Sequence, residues 1–85
     1  MKKPTQDKSS YKLTDDHFEK CVNIAVGYLK TNPSIRNRDI RRVAGISYDQ
    51  AIYFFNRSIF ENRLTRLGTG VSTCYILPQV DNKTH

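Results

Sequence analysis

No apolar run in the chain is longer than Ala51 to Phe55, far short of the roughly 20 residues a bilayer-crossing helix needs. A transmembrane helix is therefore not expected. No hydrophobic signal segment follows Lys2 and Lys3, so the expected location is the cytoplasm, with nucleoid association if the source is bacterial. Cysteine is scarce: Cys21 and Cys74 stand alone and read as small reduced core residues rather than a disulfide. The two histidines, His17 and His85, sit in no metal-ligand spacing, so neither a metal nor another cofactor is expected. No Gly-x-x-x-x-Gly-Lys phosphate loop occurs. Asp15, Asp16, His17, Cys21 and Cys74 form no catalytic constellation, so the chain is not expected to be an enzyme. No internal repeat is present.

What the chain does have is enough apolar content, 38% of 85 residues, for one compact domain. Its formal charge of +6 favours a polyanionic partner. Residues 1–12 carry Lys2, Lys3, Lys8 and Lys12 against Asp7 and read as a flexible basic tail. A domain over 13–78 and a polar tail over 79–85 complete the organisation.

Thr14 predicts a helix cap, with Asp15 and Asp16 complementing the positive helix end and Leu13 placed to staple against Phe18. Phe18, Cys21, Val22, Ala25, Tyr28 and Leu29 then recur at helical spacing. Asn32 and Pro33 end this first helix. After a short extended link through Ile35, Asn37 is the expected cap of a second helix whose buried stripe is Ile40, Val43 and Ala44. Gly45 suits the left-handed position that ends it, Ile46 plugs the core, and Ser47 caps a third helix. Two helices joined by only Gly-Ile-Ser have the spacing of a helix-turn-helix. In the third helix Ala51, Phe55 and Ile59 define the expected inward face, and Asn62 closes it.

Leu64 to Leu67 and Ser72 to Leu77 read as strands around a Gly68-Thr69-Gly70 turn, and Pro78 ends the second. The fold class predicted by this order is α+β: a winged helix-turn-helix of three helices and a two-stranded wing, with room for a short third strand at Ile35.

Ile35 to Ser47 resembles the second helix and turn of bacterial winged-helix regulators, and Leu64 to Leu77 is similar to the wing of the same class. More narrowly, Gly68-Thr-Gly and Thr73-Cys-Tyr resemble the C-terminal winged helix of RecG-related proteins, described as helicase-related or as transcriptional regulators. That narrower likeness covers about half the chain. It implies a transcriptional regulator or an accessory DNA-binding module with double-stranded DNA as partner, the third helix lying in the major groove. Matched by position, it assigns Ser47, Tyr48, Asp49, Ile52, Tyr53 and Asn56 to the base-facing helix. Asn37, Arg38, Arg41 and Arg42 fall to phosphates, and Arg66, Thr69 and Ser72 to the wing. The charge agrees, since Arg36, Arg38, Arg41, Arg42, Arg57, Arg63 and Arg66 face only Asp39, Asp49 and Glu61 between Ile35 and Arg66.

A second reading starts from Ile52-Tyr53-Phe54-Phe55, which is apolar almost all round. Ile52, Tyr53 and Phe54 would then seat a protein partner or a second copy of the chain, giving a homodimer or a larger assembly. A purely structural reading stands beside both: the arginines as a solvated face and the aromatics as a wide core.

Overall fold

A computed structural model of the chain describes residues 12–78. Helices α1 (Asp15–Thr31), α2 (Asn37–Ala44) and α3 (Tyr48–Phe60) precede strands β1 (Thr65–Leu67) and β2 (Cys74–Ile76), with a 3-10 turn at Gly70–Ser72 between them. This is the α+β arrangement of a winged helix. Apart from Lys12, the expected tails lie outside the described residues. None of the described helices is long and apolar enough to cross a membrane.

Local chemistry sets the helix ends. Thr14 Oγ1 accepts from the His17 amide at 3.1 Å, which caps α1. Leu13 and Phe18 are both buried in the core beneath that cap. At the other end Asn32 Nδ2 donates to the Tyr28 carbonyl at 2.9 Å. The cap of α2 is Arg36 and not the expected Asn37. Asp39 Oδ2 accepts from the Arg36 amide at 3.0 Å, so the carboxylate two residues past Asn37 satisfies the exposed donor. Asn37 becomes the first helical residue. Gly45 ends α2 at φ +68°, donating its amide to the Arg41 carbonyl at 2.9 Å. Ile46 is buried beneath the turn. In α3, Ser47 Oγ accepts from the Gln50 amide while Gln50 Oε1 accepts from the Ser47 amide, both at 3.0 Å. That reciprocal pair is a capping box.

Three expectations about packing are corrected. Val43 is 39% exposed, leaving Ile40 as the buried anchor of the short α2, with Ala44 half-buried. The buried face of α3 is Ala51, Phe54, Phe55 and Ser58, with Ile59 only half-buried. Phe54 is therefore not a surface residue: it is fully buried, with its ring 5.6 Å from that of Phe18 and 5.2 Å from that of Phe55. The helix has neighbours on two sides, because Phe54 meets α1 while Phe55 stacks on Tyr75 of β2 at 3.8 Å and 5°. Burying a phenylalanine in this way contributes about 1.5–3 kcal/mol.

The hairpin pairs Thr65 with Ile76, Arg66 with Tyr75 and Leu67 with Cys74. The anticipated third strand is a single bridge, in which Ile35 and Tyr75 exchange two amide–carbonyl bonds of 2.9 Å. β2 thus runs between β1 and the link into α2. Val71 and Ser72 lie in the 3-10 turn, so β2 begins two residues later than the residue pattern suggests. Both cysteines are free; Cys21 is buried on α1, where burial pushes its thiol pKa up, and Cys74 is half-buried on β2.

Candidate nucleic-acid interface

Residues of α2 and its cap, of α3 and of the hairpin enclose a cleft of about 470 Å³. Arg36, Asn37, Arg38 and Arg41 form one wall, Tyr48, Ile52 and Asn56 form the next, and Gly70, Val71 and Thr73 close it from the hairpin. The stacked pair of Phe55 and Tyr75 completes the lining. Among the described residues no carboxylate lines the cleft. The Ile35–Tyr75 bridge fixes this geometry, since it holds the hairpin against the residue before Arg36. Burial pushes the Tyr75 phenol pKa up, and the charge of Arg66, its cross-strand partner, opposes that rise.

The arginines divide by partner. Arg57 pairs with Glu61 at 2.8 Å and Asp15 at 3.0 Å, its guanidinium 4.2 Å from the centre of the Phe18 ring. Arg63 grips Glu19 with two bonds of 2.8 and 3.0 Å and also reaches Glu61 at 3.4 Å. These two rivet the end of α3 to the start of α1. Both are committed to pairs within the fold, and Arg63 precedes β1. By contrast Arg36, Arg38, Arg41 and Arg66 have no acidic partner among the described residues. Arg42 is intermediate, with a 3.5 Å contact to Asp39, and it does not line the cleft.

Of the residues singled out from the sequence, Asn37, Arg38, Arg41, Tyr48, Ile52 and Asn56 meet at this cleft. Ser47 is spent on the α3 cap. Thr69 and Ser72 are exposed in the hairpin turn, where Ser72 Oγ donates to the Thr69 carbonyl at 2.8 Å. Arg36, Thr73 and Tyr75 line the cleft without having been singled out. Their placement depends on the Ile35 bridge, whose partner Tyr75 lies 40 residues further along the chain.

Asp49 and Tyr53 lie on the far side of the ridge made by Ile52 and Asn56. There a second, shallower groove of about 650 Å³ runs along α3 past Arg57 to Phe60. Phe60 is 87% exposed. Tyr53 is half-buried, and its hydroxyl accepts from Arg57 at 3.4 Å. The described residues hold no group of three or more acidic, histidine or cysteine side chains able to bind a metal.

No protein-family model and no curated protein matches the chain. Among solved structures, the DIP2311 protein from Corynebacterium diphtheriae matches with a TM-score of 0.63 and 23% identity. The match covers 71% of this chain and 11% of that one. At that identity the likeness concerns the fold, and the fold is a winged-helix arrangement of three helices and a hairpin.

Proposed function

We propose that this domain binds double-stranded DNA, with α3 in the major groove and with α2 and the wing on the flanking phosphates. One observation carries the reading: Arg36, Arg38 and Arg41, which have no acidic partner among the described residues, line one cleft with no carboxylate among its described lining, and Arg66 is exposed on the neighbouring β1, while Arg57 and Arg63 are paired with carboxylates between α3 and α1. Guanidinium groups without partners are suited to phosphate oxygens, which accept two parallel bonds from each. Asn56, exposed on the ridge of α3 with its amide uncommitted among the described residues, is suited to an adenine edge. The role is binding without catalysis. The likeness of Gly68-Thr-Gly and Thr73-Cys-Tyr to the winged helix of RecG-related proteins adds a context, either a free-standing transcriptional regulator or an accessory module of a helicase-related protein.

A salt series on a short duplex tests this. Affinity should fall steeply with salt, by a slope of about −0.9 per phosphate contact. Arg38→Ala and Arg66→Ala should weaken every sequence alike, whereas Asn56→Ala should alter sequence preference. Absence of binding at low salt would sink the reading.

The groove beyond the ridge supports a second reading, a protein interface occupied by a second copy of the chain. Phe54 has no part in it; the apolar residues available are Ile52, Tyr53 and Phe60. Sedimentation should then show a dimer that Phe60→Ser dissolves, and a monomeric wild type would remove this reading.

A further inference from the structure

Arg41 differs from the other arginines of the cleft in being held before any ligand arrives. Its Nε donates to Asn37 Oδ1 at 2.7 Å, one helical turn earlier on α2. Its guanidinium carbon lies 5.5 Å from the centre of the Tyr48 ring on α3. The Nε–H donor is thereby occupied, while both terminal nitrogens have no acceptor among the described residues. Asn37 fixes the group as a neutral acceptor and so adds no charge that would cancel it. Arg36 and Arg38 line the same wall, but no side-chain bond restrains either of them among the described residues. They must give up rotamer freedom on binding, which Arg41 has already lost on folding.

We propose that Arg41 is the phosphodiester anchor of this cleft, and that Asn37 and Tyr48 are positioning residues that act on DNA through Arg41 rather than by touching it. The proposal rests on the nucleic-acid reading above and specifies its chemistry. The two free terminal nitrogens present an end-on fork that a phosphate can meet with two parallel bonds. The arrangement also ties the two helices of the helix-turn-helix to one anion, since Asn37 belongs to α2 and Tyr48 begins α3.

The test is a double-mutant cycle on the full 85-residue chain, with a short fluorescent duplex as probe and circular dichroism melts as the folding control. Arg41→Ala should cost about tenfold or more in affinity and reduce the salt slope by about 0.9. Asn37→Ala should cost about threefold in the wild-type background, leave the slope unchanged, and cost nothing once Arg41 is alanine. Tyr48→Leu should behave like Asn37→Ala, whereas Tyr48→Phe, which keeps the ring, should stay within about twofold of wild type. Losses that multiply in the double variant would overturn the positioning role, as would a slope lowered by Asn37→Ala as much as by Arg41→Ala. Wild-type protein that binds no duplex at low salt would instead remove the nucleic-acid reading, and this proposal with it.

Discussion

Ser58 is wholly buried on the inner side of α3, and its hydroxyl has no hydrogen-bond partner among the described residues. Its carbonyl, in contrast, takes amides from both Arg63 at 2.7 Å and Leu64 at 3.3 Å, closing the end of the helix. Leaving a buried hydroxyl without a partner costs about 1–3 kcal/mol, and alanine preserves the backbone bonds while favouring the helix. Ser58→Ala should therefore raise stability by about 1 kcal/mol, read as a higher midpoint in urea unfolding; a lower midpoint would show that the hydroxyl is satisfied in solution. Gly68 behaves oppositely. Its φ is +78°, and a Cβ there would stand 2.5 Å from the Ser72 carbonyl oxygen. Gly68→Ala combines a left-handed penalty of about 1–2 kcal/mol with that clash, so thermal unfolding should come at a clearly lower temperature. An unchanged melt would mean that the turn rearranges freely.

At the level of elements, the features legible in the sequence were those whose cause is local. Thr14 and Ser47 cap, Gly45 and Asn62 take left-handed conformations, and Pro33 follows a helix end, each for reasons contained within a few residues. Burial on α3 was not legible in the same way. A single stripe of Ala51, Phe55 and Ile59 assumes one neighbour, whereas α3 packs against α1 through Phe54 and against the hairpin through Phe55. Only the fold reveals that second neighbour, and with it the burial of Phe54. The tie between Arg63 and Glu19 spans 44 residues and leaves no pattern in the sequence. Its consequence appears with pH. The Arg63 hydrogen bonds hold the Glu19 carboxyl below the ordinary glutamate range, so the folded chain keeps Glu19 ionised to a lower pH than the unfolded chain does. The stabilisation is thus complete above the unfolded value of about 4.3 and is lost as pH falls through the lower folded value. Wild type should melt above Glu19→Gln near neutral pH, and the two melting temperatures should converge in acid. A gap that stays constant with pH would show that the pair contributes through shape rather than charge.

Across the whole molecule, the count of arginines between Ile35 and Arg66 overstates the surface available to a polyanion. Arg57 and Arg63 face Asp15, Glu19 and Glu61 over the Phe18 ring, where their charge is matched and their stems cover the core. Arg36, Arg38, Arg41 and Arg66 have no such match among the described residues. The two groups should respond differently to the same substitution. Arg38→Ala should leave the melting temperature near wild type and lower the salt slope of duplex binding by about 0.9. Arg57→Ala should lower the melting temperature, because Asp15 loses its partner, Glu61 loses the shorter of its two and Phe18 loses its nearer cover, yet it should leave the slope unchanged in protein that remains folded. Paired measurements of melting and salt dependence on these two variants separate charge that binds from charge that holds the fold. If both variants changed the slope equally, the ion pairs beside Phe18 would have to open on DNA, and the division of the arginines into two groups would fail.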